Sequence, residues 1–257
     1  YWDHLGGGSR RRTAPCRHKH RDTMGGDALR LVVLSVLLAL TWSTNRFATM
    51  EYWDEQYATG HYGDNYEWYD LSWADLRSYL SAVLPRPGAP RLDILVSGCG
   101  NSPISVDIAK EDFVRRMVNV DISSVVIESM RSKHPSLEWA VSDARELKEF
   151  DDHSFDLVFD KGTLDALRGS NNATNSELLF AAYRRVVRPG GVVIIVTSCG
   201  EEECMPLLKS AFDKVGQAIV PKKNLEELRQ KAKRYKFEIR THDTIYFGSM
   251  DVPKAEL

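Results

Sequence analysis

At 257 residues, 43% of them hydrophobic and 27% charged, the chain holds enough apolar material for one catalytic-sized domain with a substantial core. A formal net charge of −2 gives no global field for a polyanion, which argues against a nucleic-acid partner. Cys16, Cys99, Cys199 and Cys204 form no Cys-x-x-Cys pair and no zinc-type spacing with histidine, so they read as cysteines of a reducing compartment with no structural metal.

Residues 1–49 differ in character from the rest. Arg10, Arg11, Arg12, Arg17, Lys19 and Arg21 stud a glycine-containing segment, and residues 31–40 are almost wholly aliphatic. That run is too short to span a bilayer comfortably; it has the length of a signal-peptide core behind Met24 and Arg30, without a small-residue cleavage site after it. Residues 1–49 therefore read as an extension, disordered or an upstream gene-prediction artefact, ahead of a working domain at 50–257 in a cytoplasmic protein. The alternative is a functional signal over 24–49 or an anchor over 29–42, which makes the protein secretory or membrane-attached.

Dense aromatics follow, with Tyr52, Trp53, Tyr57, Tyr62, Tyr66, Trp68 and Tyr69 within eighteen residues. Trp53 and Tyr57 are four apart and share one face of a helix; such rings serve as core or lid, or hold a cation or an adenine. Residues 71–84 are predicted to form an amphipathic helix, stopped by the proline-rich stretch at 85–90. Leu92, Ile94, Leu95 and Val96 then make a buried strand that breaks at Gly98-Cys99-Gly100, with Ser102 as a helix cap and Pro103 at the first helical position. A strand, a glycine turn and a capped helix form a corner that can approach a nucleotide closely, although a plain turn has the same signature.

Strand-like and helix-like stretches now alternate: a helix over 104–113, a strand over 117–120 ending at Asp121, a helix over 123–132, a strand over 137–141 followed by Asp143, and a strand over 155–159 followed by Asp160-Lys161-Gly162. A helix over 176–187, a turn over 188–191 and a strand over 192–197 follow. The alternation predicts a doubly wound α/β sheet. Residues 205–215 and 225–235 are expected to be helices, with closing antiparallel strands at 237–239 and 244–247. Asp121 lies 21 residues beyond Gly100, where a carboxylate can take both hydroxyls of a ribose, and Asp143 holds the equivalent place one strand later, beside which an adenine would lie. Each is also readable as a helix cap or loop residue.

The strings at 96–102, 120–126, 155–167 and 188–191, above all Lys161-Gly162-Thr163-Leu164-Asp165-Ala166-Leu167, resemble class I S-adenosylmethionine-dependent methyltransferases. Within these they are similar to the group of methyltransferase-like 13 and elongation factor 1-alpha lysine methyltransferase 4, whose opening the Glu51–Tyr57 segment also matches. Val96 stands where most class I enzymes carry an acid and Ser102 where they carry a third glycine, two departures the narrower group shares. The resemblance implies a seven-stranded Rossmann-like sheet with an aromatic-rich N-terminal cap, S-adenosyl-L-methionine as cofactor, and a protein substrate such as elongation factor 1-alpha methylated on lysine. It also implies cofactor contacts: Trp53, Tyr57 and Trp68 over the cofactor, Gly98 at its methionine part, Asp121 with Ile122 at the ribose, Asp143 with Ala144 at the adenine, and Lys161 closing the site.

A lysine acceptor must lose a proton before attack, and Asp160 is the expected acceptor of that proton; the competing reading has it hydrogen-bonding loop amides, with Lys161 and Asp165 paired on the loop surface. A small-molecule methyltransferase and a methyltransferase-like binding module without turnover are the alternative functions. Asp121→Ala is expected to abolish cofactor binding while leaving the fold intact.

Overall fold

The computed structural model describes residues 46–170, 172–223, 226 and 242–251. The expectations for residues 1–45, including the apolar run, and for the 225–235 helix and 237–239 strand lie outside the described residues. Seven strands are described: β1 Leu92–Ser97, β2 Val114–Asp121, β3 Glu138–Val141, β4 Phe155–Lys161, β5 Val187–Thr197, β6 Lys214–Pro221 and β7 His242–Ser249. They form one sheet in the order β3-β2-β1-β4-β5-β7-β6. The first five strands are parallel, and β7 runs antiparallel to both β5 and β6. This is the doubly wound sheet that the alternating pattern predicts, with the seven strands that the resemblance implies.

Period-two alternation distributes the apolar side chains of the central strands between two cores. Leu95, Val158, Val193 and Ile195 enter one core, while Ile94, Val96, Leu157, Phe159, Ile194 and Val196 enter the other. The first core is covered by α6 (Ala173–Val186), through Leu179, Phe180, Tyr183 and Val186, and by α7 (Glu201–Ala211), through Cys204 and Leu208. The second is covered by α2 (Trp73–Tyr79), α3 (Ile104–Ile108) and α4 (Ser124–Lys133), through Leu76, Ile104, Ile108, Val126, Ile127 and Met130. Each such side chain contributes about 1.5–3 kcal/mol when fully buried, so both faces of the sheet are sealed and only its ends are left for function.

Caps set the helix starts. Ser72 and Asp75 make a reciprocal capping box on α2, and Ser123 accepts from the Val126 amide at the head of α4. Asp54, on α1 (Met50–Ala58), accepts from the Ser123 hydroxyl at 2.6 Å and the Val125 amide at 3.2 Å, which docks the aromatic helix against the start of α4. At the opposite end of the sheet, Asp93 accepts from Arg115 Nε at 2.8 Å and from Arg188 at 3.1 Å, and Arg188 also pairs with Asp156 at 2.8 Å. Asp156 in turn accepts the Asp93 amide at 2.8 Å.

Several boundaries differ from expectation, each for a local reason. The helix at 104–113 stops at Ile108, because Val114 is already paired with Leu92 and β2 starts there. The 71–84 helix is confined to Trp73–Tyr79 and continues only as turns. The expected turn at 188–191 lies inside β5, as extra residues between the Phe155–Val187 and Leu157–Val192 pairs. The 205–215 helix is displaced to Glu201–Ala211, with Pro206 inside it rather than near its start, and Val215 belongs to β6. A short helix, α5 (Thr163–Arg168), occupies the most specific string in the chain. The cysteine reading is corrected too: Cys199 and Cys204, with Cα atoms 6.0 Å apart across the first turn of α7, are joined in a disulfide. Both are fully buried, as is the free Cys99.

Candidate active site

The carboxyl ends of β1, β2 and β4 open onto a cavity of about 340 Å³, roofed by the aromatic N-terminal segment. Ligands in open α/β sheets bind at this end of the strands. Trp53, Tyr57, Trp68, Gly98, Asp121, Ile122, Asp143, Ala144 and Lys161, the nine cofactor contacts expected from the resemblance, all line it.

At the end of β1 the backbone turns through Gly98 (φ +60°) and Gly100 (φ +51°), both in the left-handed region. A Cβ at Gly98 would collide with the Thr163 hydroxyl, and one at Gly100 would stand 2.7 Å from the Tyr57 hydroxyl. The turn therefore requires glycine twice, and the close approach brings α5 and α1 against it.

Asp121, at the end of β2, accepts from the Gly100 amide and the Ser123 amide, each at 2.9 Å. Burial is the larger effect and raises its carboxyl to about 6, against the two amides that favour the charged form. One step later on the sheet, burial also disfavours the Asp143 carboxylate, but Arg145 reverses this by grasping it with its side chain and donating its backbone amide at 2.9 Å, so the group titrates below its ordinary value. Arg145 further donates to the Ala48 carbonyl at 3.2 Å and so ties the N-terminal segment to this corner.

The roof is a continuous aromatic cluster. Trp53 donates through its indole N–H to the Phe47 carbonyl at 2.9 Å and contacts Tyr57, Tyr62 and Trp68 with ring centroids 6.1–6.4 Å apart. Next to Trp68, Tyr69 and Asp70 are non-glycine residues with φ of +66° and +56°. Backbone in this region is strained and persists where surrounding contacts over-determine it. Here the Tyr69 hydroxyl donates to Asp165 at 2.5 Å.

Beyond β4 the structure separates the two acids of the Asp160-to-Asp165 string. Asp160 does not line the cavity: it is fully buried, accepts from the Tyr183 hydroxyl and the Thr163 amide, both at 2.9 Å, and is raised to about 7 by burial. The expected proton acceptor is thus turned toward α6 and the head of α5, in line with the loop-amide reading. Asp165 lines the cavity instead, accepting from Tyr69, from the Ser198 amide at 3.1 Å and hydroxyl at 2.8 Å, and from Arg168 at 3.3 Å. Lys161 and Asp165 are not a surface pair. The Lys161 ammonium is buried and bonded to Glu67 at 2.6 Å. Sequence reasoning missed Glu67, Tyr69 and Ser198, whose partners lie 94, 96 and 33 residues away along the chain.

Among the described residues no helix is long and apolar enough to cross a membrane. Similarity to known proteins agrees with the geometry. "EEF1A lysine methyltransferase 4" from Mus musculus is 33% identical over 167 residues, which are 60% of this chain and 63% of that protein; the Bos taurus protein of that name is 36% identical over 165 residues, 59% and 62% respectively. The chain thus spans less than two thirds of the length of these relatives. The "eEF1A lysine and N-terminal methyltransferase" of Homo sapiens is 33% identical over 164 residues, 60% of this chain and 22% of that protein. Among solved structures, a putative methyltransferase in complex with the Haloferax volcanii Trm112 methyltransferase activator superposes with a TM-score of 0.60 at 15% identity, over 78% of this chain and 98% of that one. Phosphoethanolamine N-methyltransferase 2 of Haemonchus contortus, in complex with S-adenosyl-L-methionine, gives 0.56 at 17% identity over 78% and 60%. At these identities the superpositions speak for the fold. A family described as "Methyltransferase domain" matches residues 89–241, which takes in every strand from β1 to β6 and the strand-end acids, and it is to this methyltransferase-domain family that the chain belongs.

Proposed function

We propose that the protein is an S-adenosylmethionine-dependent methyltransferase whose acceptor is a lysine side chain of another protein. The observation that carries this reading is the joint lining of one cavity by the Gly98 turn, the acids at the ends of β2 and β3, and the Lys161–Gly162–Thr163 segment. The relatives named for lysine methylation of EEF1A support a protein-lysine acceptor and make elongation factor 1A the first substrate to test.

The residues present fit the cofactor. The cavity is within the usual size range of small-molecule sites, and it combines aromatic walls with a few fixed polar groups. Asp121 with Ile122 would hold the ribose, Asp143 with Ala144 the adenine, Gly98 and Lys161 the methionine part, and Trp53, Tyr57 and Trp68 would cover it. When bound, S-adenosylmethionine supplies a methyl group on a positively charged sulfur.

The chain's own contribution is positioning and exclusion of water. An amine entering this aromatic-lined space loses solvation, which favours its neutral, nucleophilic form. Four protein donors meet the Asp165 carboxylate, so its two oxygens are already engaged by the protein. It orients the hydroxyls of Tyr69 and Ser198 along the edge where the amine would arrive. Asp160 contributes indirectly, by fixing the Thr163 amide at the start of α5.

The test is to incubate the protein with methyl-labelled cofactor and a cell lysate and to identify the labelled residue by mass spectrometry. Label on a lysine ε-nitrogen is expected; label confined to low-mass compounds would favour a small-molecule methyltransferase, and no binding of S-adenosylhomocysteine would leave a module without turnover.

A further inference from the structure

The bridge between Cys199 and Cys204 closes a loop over residues 199–204 that reaches the cavity from both of its ends. On the amino side, Cys199 follows Ser198, which lines the cavity and donates to Asp165 through its amide at 3.1 Å and its hydroxyl at 2.8 Å. On the carboxyl side, Glu203 precedes Cys204 and pairs with Arg168, which donates to Asp165 at 3.3 Å. Three of the four bonds to this cavity-lining carboxylate therefore come from a neighbour of the bridge or are braced by one.

The two halves of the loop are held unequally. Cys199 is fixed at the end of β5: its amide donates to the Thr197 hydroxyl at 2.9 Å, and its carbonyl accepts from the buried Tyr246 hydroxyl at 3.3 Å. Cys204 sits in the first turn of α7, which begins at Gly200 without a side-chain cap bond and exposes Glu201, Glu202 and Glu203 to solvent. Helix ends of this kind open at low free energy unless something ties them down. The bridge is that tie, joining a poorly capped turn to a fixed strand end. Both cysteines are fully buried beneath the turn, so a reductant reaches them when the turn opens.

We propose that Cys199 and Cys204 form a redox switch on the acceptor edge of the cavity, with the bridged form competent and the dithiol form impaired in acceptor binding. In reduction, a thiolate of a dithiol attacks one sulfur and forms a mixed disulfide; the second thiol of the dithiol then displaces it. Both cysteines leave as thiols, and the dithiol leaves as its own disulfide. A peroxide reverses the change, taking two electrons and two protons from the cysteines and leaving as two molecules of water or alcohol and water. The proposal rests on the cavity being a methyl-transfer site whose acceptor arrives beside Asp165.

The first test needs no acceptor: amide exchange is followed by NMR in wild type with and without dithiothreitol, with the gain of two thiols per chain on reduction checked by titration. Reduction should speed exchange of the Ser198 and Cys204 amides by at least about tenfold, and leave the Gly100 amide, bonded to Asp121, unchanged. The second test measures methyl transfer to purified elongation factor 1A. Reduction should raise KM for this acceptor by about 3–10-fold while S-adenosylhomocysteine affinity stays within about twofold. The Cys199→Ser, Cys204→Ser double variant should match reduced wild type and ignore dithiothreitol. Exchange that is the same in both redox states of wild type, which needs no variant to fold, overturns the proposal. So does a dithiothreitol effect that persists in the double variant, or an equal weakening of acceptor and S-adenosylhomocysteine. Absence of transfer in both states, with the exchange difference present, would instead overturn the acceptor reading beneath it.

Discussion

Asp121→Ala sets two opposing effects against each other, and pH decides the balance. The substitution removes the acceptor of the Gly100 and Ser123 amides; two buried donors left unmet are destabilising by roughly 2–6 kcal/mol in total. It also removes a carboxyl that burial raises from 3.8 to about 6, so above pH 6 it relieves about 3 kcal/mol of unfavourable charge burial. The folded carboxyl holds its proton more tightly than the unfolded one. Wild type therefore loses stability from this group as pH rises from about 4 to 6, and the variant does not. The variant should be within about 3 kcal/mol of wild type at pH 7.5 and fall a further ~3 kcal/mol behind at pH 4. Urea unfolding of both cofactor-free proteins at pH 4, 5, 6 and 7.5 measures the gap; a gap that is constant, or widest at pH 7.5, would refute the reasoning. Retention of the fold near neutral pH is thus expected, but through cancellation. In calorimetry the loss of two charge-assisted partners for ribose hydroxyls should weaken S-adenosylhomocysteine by about 10²–10⁴-fold, and binding within threefold of wild type would remove Asp121 from the site.

Other positions give sharper single effects. Gly98→Ala forces a side chain into the left-handed region and onto the Thr163 hydroxyl, so it should lower stability by about 1–3 kcal/mol in thermal unfolding and weaken S-adenosylhomocysteine binding. Asp160→Asn replaces a buried carboxyl raised to about 7 by burial; wild type loses stability as pH rises through 4–7, and the variant should show a flatter dependence of urea midpoint on pH over that window while keeping measurable methyl transfer. Complete loss of transfer without loss of fold would return Asp160 to the chemistry. Tyr69→Phe removes one donor to Asp165; it should raise KM for the protein acceptor several-fold while leaving S-adenosylhomocysteine affinity within twofold. Cys199→Ser with Cys204→Ser opens a short covalent loop and should lower stability by about 2 kcal/mol, read as a shift in Tm under non-reducing conditions.

The strand ends were legible because buried strands carry a local signal and the acids following them sit at fixed offsets from it. That logic singled out Gly98, Asp121 and Asp143 from the sequence alone, while Lys161 came from the resemblance. The same reading picked Asp160 as the proton acceptor and left Asp165, in the same short string, as a surface partner of Lys161. The choice depends on Asp160 pointing at Tyr183 on α6 and Asp165 at Tyr69, both distant in sequence. Glu67 was invisible for a similar reason: its character comes from Lys161 and Ser102, 94 and 35 residues away. The edge strand β6 escaped notice because seven of its eight residues are exposed or only half-buried, which leaves little apolar alternation to read. The bridge between Cys199 and Cys204 likewise required a distance, since a spacing of five matches no sequence motif.

The Asp93–Arg115–Arg188–Asp156 network at the far end of the sheet bears on the time course of folding. Its members come from β1, β2, β4 and β5, and the span from Asp93 to Arg188 covers 95 residues. Such a cluster closes only after the central strands have found one another, when the loop-closure entropy has already been met. Interactions made after the barrier slow escape from the native state without hastening arrival. The network thus acts as a latch: it lengthens the lifetime of the assembled sheet from the end that the cavity does not use.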